Sequence, residues 1–219
     1  MSRYCKRCAR VCGVLMDIIV LNAPPQSGKD EISAYLCKGN PNIHHEEVKE
    51  LLFEVAVRSA GISRELWDAM YTRRYKEVPS PYLMIDGVSV SPRQWMIHCS
   101  ENVIKPLFGK SAFGSAAVEK LKKKYDTHED VVVFSDGGFK EEIAALSAYA
   151  AATGGHFFLA RIHRKGYDWG NDSRNWLHLE ENGIGGHERD FENKEGGMIE
   201  CAEEVLEWAR GISYGETDA

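Results

Sequence analysis

The sequence predicts an α/β fold in which a central parallel sheet is flanked by helices. Three short apolar runs, residues 18–21, 131–134 and 157–162, have the composition of buried strands. A helical pattern over residues 140–153 separates the last two runs and ends at a pair of glycines. Because strand, helix and strand follow one another with such short joints, we expect a right-handed parallel crossover within one sheet.

The first apolar run leads into a loop with phosphate-binding composition. Residues 23–29 read Ala-Pro-Pro-Gln-Ser-Gly-Lys, and a helical pattern with Ile32, Tyr35 and Leu36 on one face follows. In a P-loop of this strand–loop–helix order, backbone N–H groups and the helix N-terminus bind a polyphosphate, and the lysine reaches its outer phosphates. The sequence therefore predicts an ATP site. Its residues are Ala23, Gln26, Ser27, Gly28, Lys29, Asp30 and Glu31.

Two positions depart from the P-loop pattern. Ala23 stands where a glycine is expected, and Asp30, followed by Glu31, stands where a hydroxyl ligand to magnesium is expected. A carboxylate is also a hard oxygen ligand for Mg²⁺, so Asp30 is a candidate metal ligand. The two negative charges nevertheless oppose the binding of a free anion. The alternative is a Gly/Pro loop that only turns a strand into a helix.

A second candidate carboxylate, Asp136, follows the apolar run 131–134. An acidic residue at the carboxyl end of a core strand, beside a P-loop strand, is where nucleotide-binding folds hold magnesium or its water shell. The local pattern fits equally well an aspartate that caps a turn or helix before Gly137 and Gly138. Asp136 is therefore a candidate metal ligand and acceptor-site residue, with that alternative open.

A polar segment with several arginines follows the third apolar run. We expect residues 164–176 to form a lid that closes over a triphosphate, with Arg164 and Arg174 neutralising charge during transfer. The alternative is a solvated loop without such a role. Further along the chain, His178 and His187 lie in an acidic stretch whose spacing fits no metal site, so an exposed stretch is expected.

Between the core segments the sequence predicts a helical insertion. Helical patterns cover residues 45–59 and 63–75, and a third helix starts at Ser91-Pro92 with serine at the N-cap. We expect that third helix to run toward Lys105 and to be stopped by Pro106. The insertion is predicted over residues 41–114, between core segments 16–40 and 115–219 of one domain.

Composition and charge exclude several classes of protein. The chain has 219 residues, of which 43% are apolar, and a formal net charge of −6. This charge argues against a dedicated surface for a nucleic-acid polymer or an anionic membrane. No apolar segment reaches the roughly 18 residues that span a bilayer. We therefore expect a cytoplasmic protein, with Cys37, Cys99 and Cys201 as reduced thiols.

Residues 1–15 form a basic segment that contains three cysteines. The spacing of Cys5, Cys8 and Cys12 is compatible with zinc, but a closed structural site needs a fourth ligand and none is evident nearby. The favoured interpretation is a tail, or an upstream start with Met16 as the functional beginning.

Four segments together resemble the phage-type deoxynucleoside monophosphate kinases, over about residues 16–210. The first is Ser-Gly-Lys-Asp at 27–30, and the second is Ser91-Pro92-Arg93, similar to the Thr-Pro-Arg of the family's acceptor site. The third is Val-Val-Val-Phe-Ser-Asp-Gly-Gly-Phe-Lys-Glu-Glu at 131–142, similar to a family strand that ends Asp-Val-Arg-Phe-Pro-Asn-Glu. The fourth runs from Gly154-Gly155 to Arg164 and Gly166.

The resemblance implies a P-loop kinase fold and phosphorylation of a deoxynucleoside 5′-monophosphate by ATP with Mg²⁺. It implies that Arg93 binds the acceptor phosphate. The chain departs from the family at Glu31, where threonine is usual, and at Gly138, where arginine is usual. Two alternatives stay open: a P-loop kinase of another small phosphorylated acceptor, and a nucleotide-binding protein without turnover. Nucleotides are the expected partners, and a homodimer is left open.

Overall fold

The computed structural model describes residues 16–125, 130–170, 172 and 174–215. The strands are β1 (Asp17–Asn22), β2 (Ile43–Glu46), β3 (Ser80–Ile85), β4 (Val88–Val90), β5 (Val131–Phe134), β6 (Phe157–His163) and β7 (His187–Glu192). The helices are α1 (Lys29–Cys37), α2 (Glu50–Ala60), α3 (Arg64–Met70), α4 (Pro92–His98), α5 (Lys105–Phe108), α6 (Ala112–Lys124), α7 (Lys140–Thr153) and α8 (Met198–Ser213).

A parallel sheet with the strand order β2-β5-β1-β6-β7 forms the centre of the fold. Strand β1 is buried on both faces, since its side chains alternate between two apolar clusters. Ile18 and Val20 pack in the cluster that includes residues of α6 and α7, and Ile19 and Leu21 pack in the cluster that includes residues of α1 and α8. The predicted α/β class with helices on both faces of a parallel sheet is confirmed.

The two outer strands of this sheet were not predicted. Strand β2 occupies the start of the predicted helix 45–59, and helix α2 begins only at Glu50. Strand β7 occupies part of the acidic stretch that was expected to be exposed; three of its six residues are exposed and one, Phe191, is buried. Both are edge strands, where charged side chains are common, and neither has the apolar run that identified β1, β5 and β6. Because all five strands are parallel, the loops that follow β2 and β7 lie at the same edge of the sheet as the P-loop.

The helical region between β2 and β5 has its own apolar core, which includes Phe53, Trp67, Leu83 and Met96. Ser91 forms the predicted N-cap of α4 in a full capping box with Gln94. The expectation that Pro106 stops this helix was wrong. A π-helical turn over Cys99–Ile104 connects α4 to α5, and Pro106 then stands in the first turn of α5, where its missing N–H is tolerated.

Other expectations from the sequence concern cysteines and membranes. Cys99 and Cys201 are buried and Cys37 is half-buried, and all three are free thiols. Residues 1–15, with the other three cysteines, lie outside the described residues. Across the described part of the chain, none of the helices combines the length and the apolar character that a bilayer crossing requires.

Candidate functional site

The loop after β1 has the tight backbone that a P-loop needs. Gln26 has φ 67° and Gly28 has φ 91°, both in the left-handed region. A Cβ atom on Gly28 would lie 2.4 Å from Nδ2 of Asn193, which donates a hydrogen bond of 2.8 Å to the Ser27 carbonyl. Glycine is therefore required at 28 for two reasons, and Asn193 supports the loop. Sequence reasoning did not identify Asn193 as a functional residue because it follows β7, the strand that was missed.

A polar cleft opens beside this loop. Lys29, at the start of α1, has its ammonium group 3.4 Å from the Pro24 carbonyl. Burial lowers the pKa of Lys29, although Asp30 acts in the opposite direction. Ala23, by contrast, is buried in the apolar core beside the sheet. The cleft is lined by Gln26, Gly28, Lys29, Asp30, Glu31, Arg73, Arg164 and Tyr167.

The predicted lid contributes Arg164 to the wall of this cleft. Its guanidinium donates a hydrogen bond of 3.3 Å to the Gln26 carbonyl and lies 5.0 Å from the ring centre of Tyr167. Arg73 also lines the cleft, and sequence reasoning missed it because the segment after α3 has no recognisable motif. Three cations and two carboxylates therefore surround the space in front of the P-loop, which leaves a net positive charge for an anion.

A second group of cations is assembled around Asp172. Arg174 donates two hydrogen bonds to this carboxylate, from Nε at 2.9 Å and from Nη2 at 2.7 Å. Arg93 reaches the same carboxylate from α4, with Nη2 3.7 Å from Oδ2. Burial opposes the charge on Asp172, but the hydrogen bonds from Arg174 lower its pKa to about 2. Two arginines predicted as functional residues therefore meet on one carboxylate that sequence reasoning missed.

Asp136 is half-buried and lies just after the end of β5. Its two carboxylate oxygens accept hydrogen bonds of 2.9 Å from the backbone N–H groups of Val48 and Lys49. Burial raises the pKa of Asp136, although Lys49 partly opposes this. The carboxylate thus ties the end of β5 to the segment between β2 and α2. Asp136 therefore has a structural role in this fold. That Asp136 also binds metal stays a prediction.

The structure brings most predicted site residues into one electrostatic neighbourhood. Lys29 interacts with Asp30, Arg174, Lys49 and Asp136. The side chain of Tyr71, whose pKa is raised by burial, interacts with Lys49, Arg93 and Arg174. Lys49 and Tyr71 were not identified from the sequence, since each stands in a helical pattern without a motif. The P-loop lysine and the arginine pair therefore face a common region.

Magnesium fits the P-loop side of this region. Among the described residues no three His, Cys, Asp or Glu side chains form a ready-made metal cage. A magnesium ion that accompanies ATP needs no such cage, because phosphates and water fill most of its octahedral sites and one or two carboxylates suffice. Asp30 lines the cleft next to Lys29 and supplies such a carboxylate.

Glu142 is a buried carboxyl in α7 beside this region. Its burial leads us to expect that the stability of the protein depends on pH. Burial and the nearby Asp136 raise its pKa from 4.5 to about 7. A raised pKa means that the folded protein favours the protonated form. Protonated Glu142 therefore makes its full contribution to the free energy of unfolding below about pH 4.5. The protein loses this stability as the pH rises through about 7.

We expect Glu142→Gln to remove this dependence, because the amide stays neutral at every pH. Denaturant unfolding at pH 5 and pH 8 should show that the wild-type protein loses on the order of 2–3 kcal/mol more than the variant. Glu141→Gln, one residue earlier in α7 and only half-buried, is the matched control. Equal pH dependence in the Glu142 variant and the wild type would contradict the assignment.

Comparisons with known proteins return distant structural similarities. No protein-family model and no curated protein sequence matches the chain. A gluconokinase from Sinorhizobium meliloti 1021 has 13% identity and a TM-score of 0.44, with 92% of this chain and 96% of that chain covered. A shikimate kinase from Acinetobacter baumannii in complex with shikimate has 10% identity and a TM-score of 0.43, with 90% and 94% covered.

A de novo designed protein of P-loop NTPase fold is similar at 12% identity and a TM-score of 0.42, with 90% of this chain and 93% of that chain covered. All three TM-scores are below 0.5. The function proposed below therefore rests on the geometry of the site itself.

Proposed function

We propose that this protein is a small-molecule kinase that transfers the γ-phosphoryl group of ATP to a deoxynucleoside 5′-monophosphate. The observation that carries the proposal is the arrangement of cations. Lys29 lies in a P-loop geometry and interacts electrostatically with Arg174, and Arg174 is joined to Arg93 through Asp172. A triphosphate on the P-loop and a phosphate on the arginine pair would therefore lie in the same region of the protein.

In the proposed reaction the protein mainly positions groups and neutralises charge. The backbone N–H groups of the P-loop and the Lys29 ammonium bind the phosphates of ATP, and Arg164 lines the same cleft, where its guanidinium lies against the Gln26 carbonyl of the loop. Magnesium, when bound with ATP, neutralises the charge that develops between the β- and γ-phosphates. An oxygen of the acceptor phosphate attacks the γ-phosphorus in line, and ADP leaves as its bond to that phosphorus breaks. Arg93 orients the attacking phosphate.

One observation favours a second candidate, a nucleotide-binding protein without turnover. Asp30 and Glu31 both line the cleft in which the phosphates of ATP would lie. Their negative charges oppose the developing charge of the transferring group unless magnesium or a proton compensates for them. The same fold also accommodates other small phosphorylated acceptors.

A screen of acceptors tests the proposal. ADP formation should be measured with Mg²⁺ and ATP against all deoxynucleoside and nucleoside monophosphates, with shikimate and gluconate as acceptors that lack phosphate. We expect ADP to form with at least one deoxynucleoside monophosphate and at background level with the acceptors that lack phosphate. Turnover only with an acceptor that lacks phosphate would contradict the proposed substrate class. ATP binding without turnover on any acceptor would favour the second candidate.

A further inference from the structure

Gly138, which follows β5, lies directly against the side chain of Arg174. A Cβ atom built on Gly138 would lie 2.3 Å from Cδ and 2.9 Å from Cγ of Arg174. Its backbone is outside the left-handed region, so space alone explains why glycine stands there. Any side chain at 138 would displace the Arg174 stem and so disturb its contact with Asp172.

The neighbouring glycine has a different constraint. A Cβ atom on Gly137 would lie 2.6 Å from Cγ1 of Val20, a fully buried residue of β1. A side chain at 137 would therefore disturb the packing of the central sheet. The packing of the core thus requires glycine at 137, and the position of Arg174 requires glycine at 138. The two adjacent glycines provide a matched pair for experiments.

Arg174 is held firmly in the place that Gly138 leaves open. Its bidentate contact with Asp172 fixes both the position and the plane of the guanidinium. The guanidinium carbon lies 5.7 Å from the ring centre of Trp169, which restrains it further. The Asp172 side chain is only 4% exposed, so water competes little for this pair.

Arg93 approaches the same carboxylate but is less tightly engaged. Its contacts to Asp172 at 3.7 Å and to Glu77 at 3.6 Å are both longer than hydrogen bonds, and its side chain is 36% exposed. Two guanidinium groups share the nearly buried Asp172, and the second carboxylate beside Arg93, Glu77, is largely exposed, so water screens its charge more strongly. The two guanidinium groups and their unused N–H groups suit a small anion with several oxygens.

We infer that Gly138 is a specificity-determining position. Because it has no side chain, it leaves room for Arg174, which together with Arg93 forms a two-arginine site for the phosphate of the acceptor. The inference rests on the proposed function and deepens it. Arg174 reaches this site from the segment before β7, and Asp172 positions it. Two guanidinium forks match the oxygens of a phosphomonoester dianion, so the site discriminates against acceptors that offer only hydroxyl groups.

A double-mutant cycle of Gly138→Ala and Arg174→Ala tests this inference. Calorimetry would measure the Kd of the four deoxynucleoside monophosphates and inorganic phosphate, and the Kd of ATP with Mg²⁺. Each single variant should raise the Kd of the best-bound monophosphate about tenfold. The double variant should match Arg174→Ala alone, because Gly138 acts only through Arg174. The Kd of ATP should stay within about twofold in all variants.

Gly137→Ala is the matched control. We expect it to lower the unfolding midpoint while the monophosphate Kd of the folded protein stays within about twofold of wild type. Gly138→Ala should show the opposite balance, with a raised Kd and a smaller fall in the midpoint than Gly137→Ala. Such a contrast separates a site effect from a folding defect.

The outcome of the double-mutant cycle and the outcome of the acceptor screen are independent of each other. The two-arginine site would be overturned if the losses of monophosphate affinity add in the double variant, or if the affinities for ATP and monophosphate weaken equally. It would also be overturned if the wild-type protein binds none of these phosphates. If the cycle gives the expected pattern but no diphosphate forms in the screen, the binding site stands and the proposed kinase activity is wrong. If diphosphate forms and the losses add, the kinase stands and the site is wrong.

Discussion

Replacement of Lys29 by methionine is expected to lower kcat at least about a hundredfold, since a cation at the transferring phosphate in a site shielded from water stabilises the transition state by several kcal/mol. The fold should be unaffected. Among the described residues the Lys29 ammonium donates one hydrogen bond, of 3.4 Å to the Pro24 carbonyl, and burial already disfavours its charge. Methionine preserves the length of the stem and removes the charge. Steady-state rates with saturating ATP and acceptor measure the effect.

Lys38→Met is the control for this variant, because Lys38 ends the same helix with an exposed side chain outside the cleft. We expect wild-type rates from it. A Lys29→Met protein that keeps more than about a tenth of the wild-type rate would contradict the assignment of this loop as the ATP site.

Arg93→Ala is expected to raise the acceptor KM about tenfold or more and to leave the KM of ATP nearly unchanged. Within the part of the chain that the structure describes, the guanidinium makes two long ion pairs, of 3.6 Å to Glu77 and 3.7 Å to Asp172, so it is available for a phosphate. A charge-assisted hydrogen bond to phosphate is worth roughly 1.5–3 kcal/mol, which corresponds to at least a tenfold change. Initial rates at varied acceptor and fixed ATP, and the reverse, separate the two constants.

Arg64→Ala serves as the control in the same helical region. Arg64 pairs with Asp68 on the surface of α3, and its side chain is 54% exposed. Its loss should change neither constant, because exposed pairs of this kind contribute little. Equal increases in both KM values for Arg93→Ala would mean that Arg93 does not bind the acceptor selectively.

The parts of the fold that the sequence predicts are those with a strong local signal. Strand β5 and helix α7 have the predicted bounds, and β1 and β6 differ by one residue at their ends. Strands β2 and β7 were missed because their buried contacts come from pairing with β5 and β6, which a local pattern does not report. Pro106 was misinterpreted for a similar reason, since the π turn that precedes it has no sequence signature.

The residues of the candidate site likewise divide into those that a local sequence motif identifies and those that it does not. The motif residues Lys29, Arg93 and Arg174 were identified from the sequence, and the structure places them in one region. Asp172 and Lys49 were not given a role, because their importance depends on which distant segments meet there. Gly138 was recognised only as a missing arginine, whereas the structure shows that Arg174 occupies the adjacent space.

The most direct test of the central claim follows the γ-phosphate itself. The protein would be incubated with γ-labelled ATP, Mg²⁺ and the best acceptor from the screen, and the labelled products would be separated. The account predicts that label appears in the β-phosphate of a deoxynucleoside diphosphate, and that this product is absent with Lys29→Met. Tight nucleotide binding that is independent of Mg²⁺, with all label left in ATP for every monophosphate, would contradict it.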